Sequence, residues 1–184
     1  TQEVKELLGT DAMSFPKPRP LIEDICRLGL KKNDLVLDFF AGSGTTAHAV
    51  LSLNASDGGN RRFIMVQLPE LTPDGSAARK AGFETISAVS IERIREAGKR
   101  ILAGSFSQKW GQDVGFRVLK IDSSNMADVF YAPDSVDKEN LDLFVDNIKP
   151  NRTGEDLLFQ VMLDWGVDLA LPITKLSIQG KEVF

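Results

Sequence analysis

The stretch from Leu35 to Thr46, Leu-Val-Leu-Asp-Phe-Phe-Ala-Gly-Ser-Gly-Thr-Thr, constrains the fold of this chain more than any other. Leu35 to Leu37 is a short apolar run, as a parallel strand buried on both faces should be. Asp38 stands at its end. Gly42 and Gly44 bracket Ser43; glycine there permits unusual backbone angles and lets a ligand approach the main chain closely. Thr45 to Leu51 then reads as a helix whose free N–H groups face the turn and favour a negative group. Strand, turn and helix N-terminus together describe a small-molecule site at the carboxyl end of a sheet strand. The alternative is a glycine turn that merely joins strand to helix, since Gly-x-Gly matches often arise by chance. The Walker pattern is not met, because no Gly-Lys-Ser/Thr follows. Nor is the all-glycine dinucleotide fingerprint: two residues past Gly44 is Thr46, and the third glycine is missing, with Ala47 in its place.

The longer string Asp38 to Thr46 closely resembles the cofactor-binding motif of amino-group DNA methyltransferases, which transfer a methyl group from S-adenosylmethionine to adenine N6 or cytosine N4. Phe39-Phe40, continued through Ala47-His48-Ala49-Val50, is most similar to the modification subunit of type III restriction systems. The likeness extends to Asp57 through Glu70 and, upstream, to Phe15 through Ile22. It covers roughly the first 100 residues well and the remainder loosely. It implies an α/β fold of the Rossmann-like, S-adenosylmethionine-dependent kind, present in part. The sheet would be mostly parallel with helices on both faces, and a carboxyl-terminal α+β appendage would follow. Residues 1–122 would hold the cofactor-binding part and 123–184 the extension.

The same resemblance assigns roles. Lys17, Pro18 and Leu21 form the far wall of the cofactor pocket. Asp38 points toward the cofactor's amino group, and Phe40 lies beside its adenine or its methionine arm. Gly42, Ser43, Gly44, Thr45 and Thr46 surround its carboxylate, with Phe39 and Ala41 completing the cofactor-binding stretch. In such sites an acid at the end of the second strand commonly takes the ribose hydroxyls, because a carboxylate accepts two hydrogen bonds at once. Here Gln67 occupies that position, with Glu70 three residues on, and the contact stays open between the two.

The chain is long enough to bury a sizeable core, and its length suits one domain with an appendage. Cys26, the single cysteine, excludes an internal disulfide and fits a reducing compartment, so a cytoplasmic location is expected. It packs as a small apolar residue. No signal peptide or membrane-spanning run is visible. The formal charge of −4, from 22 Lys and Arg against 26 acids, does not advertise nucleic-acid binding. Arg61-Arg62 is a local exception. Arg93, Arg95, Lys99 and Arg100 are another, expected to form a solvated helix face.

In chain order, residues 1–14 are partly helical. Three prolines between Pro16 and Pro20 hold the next segment extended, and Pro20 opens a helix that Gly29 ends. Strand one covers 35–40, and its helix runs to about Leu53. Asn54 to Asn60 is a turn. Residues 62–68 form the second strand, Leu71 to Gly82 a short helical piece, and Ser90 to Leu102 a helix. Residues 115–121 alternate like a strand of the same sheet. Residues 122–135 are irregular. Leu141, Phe144, Val145 and Ile148 share one helical face; Leu157, Leu158, Val161, Met162 and Trp165 share another. Ile173 to Phe184 reads as strand, Gly180 turn, strand. His48, the only histidine, is expected to be buried, and no zinc spacing accompanies it.

Methyl transfer to an exocyclic amine requires, in the family, an Asp-Pro-Pro-Tyr type motif. Its side chain and a proline carbonyl accept hydrogen bonds from the amine, while the aromatic ring stacks on the flipped base. Neither Ala132-Pro133-Asp134 nor Leu68-Pro69-Glu70 supplies it. The resemblance therefore points to the circularly permuted class, in which the catalytic motif precedes the cofactor motif. The start at Thr1 agrees with a carboxyl-terminal piece. The fragment alone is expected to be inactive. DNA is expected as a partner through the rest of the parent protein, together with a restriction subunit and a second modification subunit. Two alternatives remain: a non-catalytic Rossmann-like module for another nucleotide, and a structural interaction piece.

Overall fold

The computed structural model describes residues 2–127 and 147–184. The chain divides into two compact units, the first ending at Phe116 and the second starting at Arg117. In the first, α1 (Gln2–Leu8) and α2 (Arg19–Gly29) precede β1 (Leu35–Asp38), α3 (Thr45–Asp57) and β2 (Arg62–Met65). A single turn, α4 (Ala77–Lys80), and the long α5 (Ile86–Leu102) follow.

Strands β1 and β2 pair in parallel with Leu35 opposite Arg62 and Asp38 opposite Met65. Helix α3 is the crossover between them. Its side chains Ala47 and Leu51 meet Ile94 of α5 in one apolar cluster, against which Phe63 and Met65 of β2 pack. Burying a side chain such as Leu51 contributes roughly 2 kcal/mol. Cys26 lies in the buried face of α2, where burial pushes its thiol pKa up and keeps it protonated. The first turn of α2 takes Pro20 without loss, since the N–H that proline lacks has no helical partner there.

The opposite face of the strand pair is open. Leu37 is 48% exposed and Ile64 47%. The expected cover of helices on both faces is thus present on one face only among the described residues, because α3 and α5 both pack with the Phe63 and Met65 side. Other expectations are corrected. β1 stops at Asp38, whose carboxylate accepts the Phe40 N–H at 3.0 Å and bends the chain. Asn54 to Asp57 are helical and not a turn. Asn54 directs its amide to Arg61, accepting from its N–H at 3.0 Å and donating to its carbonyl at 2.8 Å. Helix α3 then ends at Gly58, which adopts φ +69°. Residues 115–121 form no strand. Of the alternating residues only Phe116 packs, beside Val114 against the α3–α5 cluster, while Val118, Leu119 and Ile121 are exposed; Gly98 of α5 gives Val114 the room to approach.

Arg61 is not a basic surface residue. It is buried, and its guanidinium makes two bonds to Asp57, at 3.1 and 2.9 Å. A bidentate charged pair between the end of α3 and the start of β2 fixes the crossover's return.

In the second unit, α6 (Gly154–Asp164) starts with a reciprocal capping box between Thr153 and Asp156. Met162 is buried, whereas Trp165 of the expected apolar face is exposed. β3 (Leu176–Ile178) and β4 (Lys181–Val183) form an antiparallel hairpin. Gln179 and Gly180 between them both have positive φ, which matches the right-handed twist of a two-residue hairpin. Asn125 donates to the Asp156 carbonyl at 2.9 Å and Arg152 pairs with Asp122 at 2.9 Å. The helix expected around Leu141, Phe144 and Val145 lies outside the described residues; Ile148 makes an isolated bridge to Met126.

Asn54→Ala would leave the buried Arg61 N–H and C=O without their partner. A loss of about 2–3 kcal/mol in unfolding free energy is expected, read from the urea midpoint at unchanged slope.

Candidate functional site

The chain passes from β1 to α3 through a turn with two left-handed glycines, Gly42 at φ +54° and Gly44 at φ +75°. Each end is tied to its surroundings. Ala41 N–H donates to the Val66 carbonyl at 3.1 Å, so the link to β2 continues past the strand. Gly42 N–H donates to Gln67 Oε1 at 2.8 Å. Asp38 Oδ2 accepts from Thr46 Oγ1 at 2.6 Å, bracing the first turn of α3. Thr45 Oγ1 donates to the Lys17 carbonyl at 3.3 Å, which brings the proline-rich segment against the turn.

The two glycines differ. A Cβ on Gly42 would find its nearest atoms at 3.8 Å, whereas one on Gly44 would lie 2.8 Å from Ser90 Oγ and 3.2 Å from the Ser90 carbonyl oxygen. Gly44 is therefore glycine for close packing on α5 as well as for its backbone angle. Gly44 is also the residue that opens α3, and no side chain caps the helix there. Unsatisfied amides at a helix N-terminus attract a negative group.

Of the predicted residues, Asp38, Phe40, Ala41, Gly42, Ser43, Gly44, Thr45, Thr46, Gln67 and Lys17 meet in this one region. Phe39 flanks it with an exposed ring, and Phe40 is 88% exposed. Pro18 precedes the first residue of α2, and Leu21 lies exposed in its first turn. Gln67 is committed to Gly42 through its oxygen, while its Nε2 donates to the Leu68 carbonyl at 3.3 Å. Glu70 lies beyond β2 with an exposed side chain, and its backbone carbonyl accepts from Ile86.

Sequence reasoning missed Arg93. It is not on a solvated face but 0% exposed. Its Nη1 donates to Ser43 Oγ at 2.7 Å and to Thr45 Oγ1 at 2.6 Å, and its Nη2 to Glu3 Oε2 at 3.2 Å. Burial lowers the Arg93 pKa, against the pull of Glu3. Glu3 also binds Arg19 Nε at 2.6 Å. Burial raises the Glu3 carboxyl, but the Arg19 hydrogen bond and the charges of Arg19 and Arg93 outweigh it and hold it below its ordinary value. The signal was present in the spacing: Val89, Ser90, Ile94 and Ala97 recur at helical intervals around Arg93 and are all buried.

His48 is buried, as expected, and its Nδ1 has no hydrogen-bond partner. Burial pushes its pKa down to about 4; Glu3 opposes that shift and Arg93, Arg19 and Arg100 add to it. It lines a surface cleft of about 480 Å³ with Glu3, Glu6, Arg19 and Arg100, which contains none of the turn residues. Among the described residues no cluster of His, Cys, Asp or Glu could hold a metal ion, and no helix is long and apolar enough to cross a membrane.

A family model described as DNA methylase matches residues 2–97. The StyLTI Mod subunit of a type III restriction-modification enzyme from Salmonella typhimurium is 41% identical over 116 residues, 63% of this chain and 18% of that protein. The EcoPI Mod subunit from Escherichia phage P1 is 43% identical over 119 residues, 65% of this chain and again 18% of its own length. The type II methyltransferase M.KpnI of Klebsiella pneumoniae is 39% identical over 94 residues, 51% of this chain and 22% of the relative. The chain thus spans about a fifth of the length of these relatives.

Gly44→Ala is expected to destabilise the protein by about 3 kcal/mol, from a left-handed backbone plus the contact with Ser90, and Gly42→Ala by about 1 kcal/mol, from the backbone alone. Urea midpoints of both variants check the difference. His48 is neutral in the folded chain where an unfolded histidine would take a proton. Its contribution is therefore full above about pH 6.5 and is lost as pH falls toward 4, about 3 kcal/mol in all. A stability–pH profile of His48→Gln should lack that decline.

Proposed function

This chain belongs to the DNA methylase family, and on that premise we propose that it is the S-adenosylmethionine-binding part of a type III modification subunit that methylates adenine N6 in DNA. The single observation that carries the proposal is the uncapped start of α3 directly after the Gly42–Gly44 turn at the carboxyl end of β1. That geometry suits a carboxylate, and the methionine arm of the cofactor carries one. The donor set fits the rest of the molecule. Asp38 offers a carboxylate for the amino group, since each oxygen keeps a lone pair after accepting from Phe40 or Thr46. The exposed Phe40 ring offers a face for adenine, as an alternative to a place along the methionine arm. Lys17, Pro18 and Leu21 form the far wall, and Phe39 and Ala41 complete the motif.

The ribose falls to Glu70 in this proposal, because the Gln67 oxygen is already engaged by Gly42. The bound cofactor would supply an activated methyl group. The chain's own residues bind and orient that molecule. Proton handling and base recognition belong to a motif of the Asp-Pro-Pro-Tyr type carried by the rest of a longer protein. DNA and a restriction subunit would be engaged by that larger protein, as would a second modification subunit. Residues 1–122 hold the cofactor-binding part and 123–184 an extension; alone the chain binds without methylating.

Isothermal titration of the chain with S-adenosylmethionine and S-adenosylhomocysteine tests this. Both should bind, and Asp38→Ala should abolish binding while lowering stability by only about 1–2 kcal/mol, for two lost hydrogen bonds. Binding of NAD or ATP in preference would favour a nucleotide module of another kind. Unchanged affinity in Asp38→Ala would overturn the site assignment.

A further inference from the structure

Arg93 carries a charge that the packing of α5 does not require. An apolar side chain of similar size would fill the same enclosed space without the penalty of desolvating a guanidinium. What the charge does is hold the turn. Nη1 donates to Ser43 Oγ and to Thr45 Oγ1, one on each side of Gly44, while Nη2 is held by Glu3 of α1. A serine or threonine hydroxyl at the head of a helix is an acceptor for that helix's first amides. Here α3 has no such cap. Arg93 donates to both hydroxyls, Thr45 in turn donates to the Lys17 carbonyl, and the two hydroxyls lie 3.2 Å apart, so this network fixes both in place and neither caps α3. The amides stay open, and a buried cation one hydrogen bond behind the turn strengthens their attraction for an anion.

We propose that Arg93, braced by Glu3, is a positioning residue of the cofactor site: it holds Ser43 and Thr45 so that the start of α3 remains free for the carboxylate of the cofactor's amino-acid arm. This rests on the S-adenosylmethionine reading above.

The test compares two probes on the full chain by isothermal titration. One is S-adenosylmethionine; the other is 5′-deoxy-5′-methylthioadenosine, which keeps adenosine and sulfur but has no amino-acid arm. Arg93→Met should weaken S-adenosylmethionine by about tenfold or more and methylthioadenosine by no more than about twofold. Arg93→Lys, which keeps the cation but not the fork, should recover part of the loss. Glu3→Gln should show a smaller loss of the same selectivity. Equal weakening of both probes would mean a merely structural role and overturn the proposal, as would no change in either. If Arg93→Met does not fold, judged by its melting curve, an unchanged preference in Arg93→Lys and Glu3→Gln overturns it. A wild-type chain that binds neither probe fails before any variant is made, and that failure belongs to the cofactor reading on which the proposal rests.

Discussion

Between β1 and α3 the chain reverses over two left-handed glycines only two residues apart, and every neighbouring element is tied to that reversal. β2 is tied through Val66 and Gln67, the proline-rich segment through the Lys17 carbonyl, and α5 through Arg93 and the close approach of Ser90 to Gly44. A tight turn of this kind is strained unless its surroundings over-determine it. Here hydrogen bonds from three separate stretches do so. The result is a fixed, uncapped helix start, the geometry on which the proposed cofactor site rests.

Charge in the interior serves the same end. Glu23, Arg19, Glu3 and Arg93 form a chain of ion pairs from α2 through Glu3 of α1 to α5. Buried pairs contribute little net stability, because the desolvation penalty offsets the attraction. They do impose geometry, since leaving any member unpaired is expensive. Arg61 and Asp57 follow the same logic at the other end of α3, so the crossover helix is held at both termini by guanidinium groups. His48 sits among these cations on α3 and is kept neutral by burial.

The strand pair sets the limits of the unit. Its one covered face packs into the α3–α5 cluster, and its other face leaves leucine and isoleucine side chains half-exposed. Apolar runs such as Leu35 to Leu37 are the signature of strands meant to be covered on both sides. The sequence pattern thus describes a sheet more enclosed than the one these described residues make.

Local chemistry was legible in the residues themselves. The glycine turn, the helix after it, the proline start of α2 and the Gly180 turn of the hairpin each follow from backbone preferences within a few positions, and those preferences hold in the structure. Sequence likeness to amino-group DNA methyltransferases came from the same short string, and the family match over residues 2–97 agrees with it. Tertiary structure decided what distant residues do. Arg93 reads as surface charge because arginine usually is, yet α5 turns it inward onto hydroxyls 48 and 50 residues away. Asn54 reads as a turn former, yet Arg61 takes its amide and leaves the helix free to continue. The alternation of 115–121 reads as a strand, but a strand also needs a partner's backbone, and Val114 and Phe116 pack on a helix surface instead. Hydrophobic period and turn residues act within a few positions and can be read in order. Which buried donor meets which acceptor depends on how the elements pack, and that is set only when the chain has folded.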